Sequence, residues 1–388
     1  MVDTFPAASE TFVLDQVEGL KERGFNVRIV AGYRNRSGLI QEKGRRLATE
    51  AFYAEDQMGI AKLLPRPLRR HVYPAKLQRH IYRRILRDAD LVLCHFGPVG
   101  RRAALALQDE PRPRLWTIFH GYDLSSFVQE CGREIYAPLF KRGDQFLAVS
   151  RLWMDRLKEL GCPQDRIGLQ RMGIQVDRVP SVERKMGATL RILSVSRLVE
   201  KKGIEYALRA LAEFARWRPS VNWSYEIIGE GPLRNSLERL ARNLGIDDRV
   251  IFAGELPAET VQAKVALSEV FMLPSVTARD GDMEGIPVSL MEAMAAGVSV
   301  LSTYHSGIPE LIEHCVSGLL APERDHVKLA HNICRLIDEP HLRSAFVREA
   351  RKKIEQEFNQ TLLLDKLAAD IRILAPSRPN TSVQRPSN

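Results

Sequence analysis

The sequence predicts an α/β fold built from two doubly wound domains. Short apolar runs rich in β-branched residues alternate with helical segments along most of the 388 residues, which is typical of parallel sheets covered by helices. The runs form two series, separated by a mixed segment at residues 173–187 that contains Pro180. A chain of this length also exceeds the usual size of one hydrophobic core. We therefore expect two Rossmann-like domains that face each other across a cleft.

The first domain is predicted to span residues 1–178. Helical segments are predicted to end at Gly24 and Gly161, because glycine favours the left-handed backbone that follows many helices. The predicted strands are 27–31, 91–95, 115–119 and 145–149.

The start of the chain is short for a doubly wound domain. Only Met1, Val2 and Asp3 precede a loop predicted to begin at Thr4. Since the first strand of such a sheet is central, we expect a truncated strand whose two neighbours lack a pairing partner, from a start assigned too late or a truncated product. An upstream in-frame segment is then expected to raise soluble yield and melting temperature.

The second domain is predicted to span residues 179–360. Helices are predicted at 336–358 and 361–374, and residues 375–388, rich in Pro, Ser, Asn and Arg, are predicted to be disordered. The predicted strands are 191–195, 225–228, 250–252, 270–273 and 298–302.

Positive charge is concentrated in the first domain. The net charge is +9, and residues 1–180 carry 30 Lys and Arg against 21 Asp and Glu. Residues 62–87 contain nine basic residues and no acidic one, beside an apolar stripe at helical spacing. Such a helix can dock on an anionic membrane surface, although a solvated face over an ordinary core stripe explains the pattern too. Nucleic acid is not expected as a partner, because no aromatic stacking platform accompanies the charge.

Hydropathy indicates a protein without a membrane anchor. No apolar run approaches the length of a bilayer span, and the first residues lack a basic stretch followed by an apolar one. We therefore expect a cytoplasmic protein, peripheral at the inner face of the cell membrane.

The most informative segment is residues 280–297. It places Glu284 and Glu292 eight positions apart, on either side of the predicted start of a helix. The helix is predicted to start here because Gly285 is typical of a loop and Pro287 is favoured at the beginning of a helix. Carboxylates accept hydrogen bonds from vicinal hydroxyls, so the pair can hold a hexose at one end of a ligand and a ribose at the other. The alternative is an ordinary amphipathic helix with two solvated glutamates.

Neighbouring motifs favour the ligand-binding interpretation. Together with the two glutamates, the ordered set resembles retaining, nucleotide-sugar-dependent glycosyltransferases of family 4, and the branch that builds bacterial exopolysaccharides such as colanic acid or amylovoran. The resemblance covers about 360 residues. The matching segments are 9–12, 195–203, 228–233, 293–302, 306–311 and 317–320.

The resemblance implies the GT-B architecture, with residues 361–374 crossing back onto the first domain. It implies transfer of a hexose from a UDP- or GDP-sugar to a growing, lipid-linked oligosaccharide, with no cofactor besides the donor. Glu284 would hold the transferred sugar and Glu292 the ribose. The remaining donor-site residues implied are Gly229, Gly285, Ile286 and Pro287.

The leaving diphosphate needs positive charge where no metal supplies it. Arg197 and Lys202 are the candidates, because they are separated by five positions across a strand-to-helix loop and can converge on one phosphate pair. Each of them, taken alone, is ordinarily a solvent-facing base.

Two residues of the first domain complete the predicted site. His120 directly follows a predicted strand, where the family places a histidine beside the donor sugar, although backbone groups at a strand end also satisfy such a histidine. Glu10 is the predicted acceptor-side residue, with the alternative role of an acidic group that complements a helix dipole.

Metal ligation is not expected. Asp280-Gly281-Asp282 has a form that chelates divalent cations in a different glycosyltransferase fold, but it lies inside a motif of the metal-free one. The nine histidines show no zinc-binding spacing.

Two other functions remain open from the sequence. A nucleotide-sugar epimerase on the same fold would need acid and base carboxylates in the cleft. A non-catalytic protein that binds anionic surfaces would depend on the basic segment alone.

Overall fold

The computed structural model describes residues 1–7, 10–35, 42–57, 75–181 and 187–375. Within these ranges the first domain shows seven strands: β1 (Val2–Phe5), β2 (Val30–Arg34), β3 (Phe52–Tyr53), β4 (Leu91–His95), β5 (Arg114–Phe119), β6 (Gln145–Ala148) and β7 (Ile167–Leu169). All pairs are parallel, and they form two hydrogen-bonded groups in the orders β1-β2-β3 and β4-β5-β6-β7. The four predicted strands are confirmed, with the first displaced by three residues.

Met1 joins these two groups into one sheet. Its ammonium donates to the carbonyl of Leu93 at 2.6 Å, and its carbonyl accepts from the amide of His95 at 3.0 Å. The expectation that the neighbours of the first strand lack a partner is therefore wrong. β1 pairs with β2 and extends to Phe5, because Val2 and Phe5 bury their side chains in the core between the sheet and its helices.

Helices cover the sheet of the first domain. Two of them end two residues before Gly24 (φ 85°) and Gly161 (φ 83°), which follow the C-cap residues as the prediction requires. The helices are α1 (Thr11–Glu22), α2 (Glu42–Glu50), α3 (Ala75–Leu86), α4 (Gly97–Ala106), α5 (Ser126–Cys131), α6 (Ala137–Arg142) and α7 (Arg151–Glu159).

The basic segment at 62–87 is described only from residue 75 onward. In α3, Ile81 and Leu86 lie in the core beside α4, so this part of the apolar stripe is internal. Arg79 and Arg84 are exposed on the opposite face. The predicted cationic face is present in α3, and its buried stripe cannot enter a bilayer.

The second domain has six parallel strands in the order β10-β9-β8-β11-β12-β13. This order is the one typical of a Rossmann sheet. The strands are β8 (Leu190–Val195), β9 (Trp223–Ile228), β10 (Val250–Gly254), β11 (Val270–Met272), β12 (Ser299–Thr303) and β13 (Leu319–Ala321). All five predicted strands are confirmed within two residues.

Separate apolar cores lie on the two faces of this sheet. Helices therefore cover both faces, as the predicted doubly wound fold requires. The helices are α8 (Ile204–Trp217), α9 (Arg234–Asn243), α10 (Ala258–Leu267), α11 (Val288–Ala295), α12 (Ile308–Leu311), α13 (His326–Asp338), α14 (Pro340–Glu357) and α15 (Gln360–Leu374).

The single helix predicted at 336–358 is wrong, because α13 ends at Asp338 and α14 begins at Pro340. A proline has no amide hydrogen and clashes with the preceding turn, so it starts a helix more readily than it continues one. The predicted disordered tail lies outside the described residues, except for Ala375.

The chain passes between the domains twice, and the two crossings touch. Ile174 forms an isolated bridge with Asn359 and accepts from the amide of Gln360 at 2.9 Å. Beyond this point α15 returns to the first domain, where Leu367 and Ile371 join its core. Among the described residues, no helix combines the length and apolar character needed to cross a bilayer.

Candidate active site

The loops that follow strands of both sheets meet at one cleft. The loop after β5 carries His120 and Gly121, and it contacts the segment before α11, which carries Glu284 and Gly285. The loops after β8 and β9 lie side by side in the second domain. This is the edge where parallel sheets bind ligands, because every strand ends there.

Gly121 and Gly285 allow the backbones of the two domains to come into contact at this edge of the sheets. A Cβ on Gly285 would lie 2.3 Å from the carbonyl oxygen of His120, and one on Gly121 would lie 2.9 Å from the carbonyl of Glu284. Gly121 also has a φ of 132°, which disfavours any other residue. The two backbones therefore touch directly.

We expect Gly285→Ala to force this contact apart. The added methyl group meets backbone rather than a flexible side chain, so turnover should fall at least about tenfold through misplacement of the reacting groups. Gly187→Ala is the matched control, since its nearest atom would lie 3.8 Å away. Steady-state kinetics of both variants test this, and equal activities would contradict the proposed role of the contact.

The loops after β8 and β9 also depend on glycine. Gly229 has a φ of 132°, and a Cβ there would lie 2.0 Å from the carbonyl oxygen of Ser196. This approach places Gly229 directly beside Arg197. Arg197 is exposed, and its side chain forms no ion pair or hydrogen bond within the described part of the chain. Arg197 is thus free to meet a ligand at this edge.

Glu284 is buried and forms an ion pair with Lys202. The Nζ of Lys202 lies 2.6 Å from Oε1 of Glu284, and both side chains are largely shielded from solvent. Burial acts to raise the pKa of Glu284, but the charges of Lys202 and Lys201 outweigh it and hold the pKa below its usual value. Glu284 is therefore an ionised acceptor. Lys202 contacts this carboxylate directly, and its convergence with Arg197 on one phosphate pair stays a prediction.

The Asp-Gly-Asp segment is occupied by protein contacts. Lys201 is buried and its Nζ lies 2.8 Å from Oδ2 of Asp282. Oδ1 of Asp280 accepts the amide of Asp282 at 2.9 Å. No cluster of three potential metal ligands occurs among the described residues.

A buried histidine supports the backbone of Glu284. The Glu284 amide donates to Nε2 of His305 at 3.1 Å, so this nitrogen carries no hydrogen and Nδ1 must be the donor. Nδ1 lies 2.6 Å from Oε1 of Glu323, whose carboxylate also accepts from Thr277. Trp153 of the first domain donates from Nε1 to the Glu284 carbonyl at 3.2 Å. Both domains therefore position Glu284.

Glu292 lies on α11 and faces the first domain. Burial raises its pKa to about 7, and the negative charge of Asp15 on α1 acts in the same direction. Glu10, at the start of α1, also has a pKa raised to about 7 by burial and by Asp3, while Arg197 across the cleft opposes the shift. Ile286 and Pro287 are buried, and Ile286 belongs to an apolar core of the second domain.

His120 sits on a turn that a buried carboxylate organises. Asp123 is fully buried and accepts from the amides of Gly97, His120 and Gly121 at 2.9, 3.0 and 2.9 Å. Burial lowers the pKa of His120 to about 3, so the imidazole is neutral at physiological pH. His120 is therefore a neutral hydrogen-bonding group and cannot serve as a cation.

Comparison with solved structures identifies the class of fold. The chain superposes on the Anabaena protein HepE in complex with UDP, with a TM-score of 0.73 over 96% of this chain and 99% of that one, at 17% identity. It superposes on a sucrose-phosphate synthase from Thermosynechococcus elongatus with a TM-score of 0.76 over 96% and 95% of the two chains, at 18% identity. The two facing Rossmann-like domains define a GT-B glycosyltransferase fold.

Sequence comparison identifies the family. Residues 9–178 match Glycosyltransferase Family 4, and residues 178–353 match Glycosyl transferases group 1. The chain is 37% identical to the putative colanic acid biosynthesis glycosyltransferase WcaL of Escherichia coli, over 95% of this chain and 98% of that protein. It is 36% identical to the amylovoran biosynthesis glycosyltransferase AmsK of Erwinia amylovora, over 96% and 98%. The chain therefore belongs to glycosyltransferase family 4, and the predicted enzyme class is confirmed.

Proposed function

We propose that this glycosyltransferase transfers a hexose, with retention and without a metal ion, from a UDP- or GDP-sugar to a lipid-linked oligosaccharide in exopolysaccharide assembly. The observation that carries this proposal is the buried Glu284–Lys202 pair, held where the two domains touch and beside His120. The names of WcaL and AmsK support the exopolysaccharide pathway. Retention rests on family membership.

The donor's diphosphate would lie between Arg197 and Lys202. Arg197 is exposed beside the Gly229 turn, and Lys202 reaches the same edge through its contact with Glu284. As the glycosidic bond breaks, negative charge grows on the leaving diphosphate, and these fixed cations stabilise it. Asp282 offers no free carboxylate to a metal, because Lys201 neutralises it.

The transferred sugar would lie beside Glu284 and His120. Glu284 is ionised and accepts hydrogen bonds from vicinal hydroxyls, while Gly285, Ile286 and Pro287 line the same wall. Positive charge develops at the anomeric carbon, so a neutral His120 avoids the repulsion that an imidazolium would cause. Glu292 would accept the ribose hydroxyls, and Glu10 would lie on the acceptor side.

Nucleotide binding is expected to depend on pH through Glu292. A carboxylate accepts both ribose hydroxyls, whereas a protonated carboxyl loses acceptor capacity, so binding favours the ionised form and affinity rises with pH. With a pKa of about 7, the Kd for UDP or GDP should increase up to about eightfold from pH 7.5 to pH 6. Isothermal titration at several pH values tests this. Glu292→Gln should bind weakly with a shallower profile, which retains only the titration of the nucleotide's own terminal phosphate at about pH 6, and an equally steep profile in that variant would contradict the assignment.

A donor panel tests the proposed reaction. UDP- and GDP-linked glucose, galactose, mannose and fucose are incubated with a lipid-linked saccharide extract, and nucleotide release and thermal shift are measured. We expect one donor to release nucleotide only when acceptor is present and to stabilise the protein. Conversion of the donor sugar to an epimer would support an epimerase instead. If none of the UDP- or GDP-sugars raises the melting temperature, the proposal is contradicted.

Docking on an anionic membrane surface is the second part of the proposed function. It would bring the enzyme to a lipid-linked acceptor and is supported by the exposed Arg79 and Arg84 on α3. Because Ile81 and Leu86 are buried, the attraction is electrostatic and should weaken with salt.

Charge reversal tests the docking. The double variant Arg79→Glu, Arg84→Glu should bind anionic vesicles at least about tenfold more weakly at low salt, since each base near the surface contributes about 1 kcal/mol. Arg239→Glu with Arg242→Glu, on exposed positions of α9, is the matched control. Binding is measured by co-sedimentation with the vesicles. If the α3 and α9 double variants co-sediment to the same extent, then α3 is not the docking surface.

A further inference from the structure

Two histidines from neighbouring strands of the first domain form a contacting pair in the cleft. His95 ends β4 and His120 follows β5, and these strands pair in parallel. Nδ1 of His95 lies 3.1 Å from Nε2 of His120, and the rings stack with centroids 5.3 Å apart and an interplanar angle of 27°. This distance requires one hydrogen between the two nitrogens.

The His120 ring is confined on several sides. Phe12 and Phe96 contact it, with centroid distances of 4.7 and 4.5 Å. His95 and His120 are 5% and 9% exposed, and burial also lowers the pKa of His95, helped by the neighbouring His120. Both rings are therefore neutral, and each carries one hydrogen.

The second nitrogen of His120, Nδ1, lacks a hydrogen-bond partner in the described part of the chain. Nδ1 is buried, and it makes no hydrogen bond with any described residue. If His95 donated to Nε2, then Nδ1 of His120 would be a buried N–H without an acceptor, which is rare in folded proteins. If Nε2 of His120 donates to His95, then Nδ1 of His120 carries no hydrogen and is an acceptor with a free lone pair. A buried acceptor without a partner is tolerated more often than a buried donor, so the second arrangement is favoured.

We propose that His95 is a positioning residue that accepts the Nε2 hydrogen of His120 and thereby leaves Nδ1 of His120 as a bare acceptor for a sugar hydroxyl. This inference rests on the proposed function, since it assigns the hydroxyl to the donor sugar or the attacking acceptor. His95 itself does not touch the substrate. It selects the tautomer of His120 and fixes the plane of its ring.

Substitutions that preserve or remove the acceptor test the role of His95. His95→Phe keeps a ring but offers no acceptor, so kcat should fall at least about tenfold with a small change in donor KM. In His95→Asn the side-chain oxygen takes the place of Nδ1, and kcat should recover to within about threefold of wild type. His331→Phe, at an exposed ring in tilted contact with Trp217, is the matched control.

A double-mutant cycle separates positioning from general structural damage. If His95 acts through His120, then His95→Phe added to His120→Ala should lower kcat no further than about twofold. A merely structural role would lower kcat in both backgrounds by the same factor. Additive losses, or His95→Asn as slow as His95→Phe, would overturn the proposal.

Nitrogen NMR tests the tautomer without any substrate. In protein labelled with ¹⁵N-histidine, the His120 signals are assigned by their absence in His120→Ala. We expect Nδ1 to be unprotonated and Nε2 protonated from pH 5.5 to 8, and this pattern to change in His95→Phe. A protonated Nδ1 in the wild-type protein would refute the inference. If no donor releases nucleotide but the ¹⁵N spectrum shows the expected tautomer of His120, then the proposed reaction is refuted and the role of His95 is not.

Discussion

Glu284→Gln should lower kcat at least about a hundredfold, the loss typical for removing one preorganised electrostatic group from an active site. Glutamine keeps the shape of the side chain but carries no charge, so it holds the sugar hydroxyls weakly. It also leaves the largely buried ammonium of Lys202 without its partner at 2.6 Å. Donor-dependent nucleotide release measures the effect.

Controls separate lost chemistry from lost folding. Glu205→Gln removes a carboxylate from the half-exposed Glu205–Arg209 pair on α8 and should leave kcat within about twofold of wild type. Thermal melting should show that Glu284→Gln is folded, although less stable, because an uncompensated buried charge is unfavourable. A folded variant that keeps more than a tenth of the activity would remove Glu284 from the proposed site.

Asp123→Ala should reduce the free energy of unfolding by about 4 kcal/mol, because three buried amides lose their acceptor together. The carboxylate currently accepts from Gly97, His120 and Gly121, so the turn that carries His120 would also lose its shape. The Asp123→Ala variant should therefore have a lower turnover number as well as a lower stability. Urea denaturation and steady-state kinetics measure the two effects.

Asp123→Asn provides the graded comparison. It retains one carbonyl oxygen, so its loss of stability should be roughly half that of Asp123→Ala. Asp247→Ala, at an exposed position in the second domain, should change stability by no more than about 0.5 kcal/mol. An Asp123→Ala variant as stable as Asp247→Ala would show that the three amides find other acceptors.

The main strands could be predicted from sequence because they are buried on both faces. Largely apolar runs such as 91–95 and 191–195 are distinctive, since a central parallel strand contacts helices above and below. The very short β3, β7 and β13 escaped prediction, because two or three residues carry no periodicity. The first strand was underestimated for the same reason, and its pairing through Met1 is a tertiary contact.

The candidate site was predicted in part. Glu284, Arg197 and His120 lie on loops next to predicted strands or helices, and Glu292 lies within α11. The groups that hold them were missed, namely His95, Asp123, Lys201, His305 and Glu323. Each of these acts on a residue distant in sequence or through a backbone amide, so its role depends on packing that local patterns do not encode. The Glu284–Lys202 contact likewise required the fold.

The double passage of the chain between the domains limits how the enzyme can be divided. Cutting after residue 178 would remove α15 and uncover the apolar surface that Leu367 and Ile371 cover in the first domain. The amino-terminal half alone should therefore aggregate, whereas a fusion that appends residues 360–375 to it should be soluble. Because the two crossings are hydrogen-bonded to each other at Ile174 and Asn359, we also expect the two halves to move relative to each other by bending at this point.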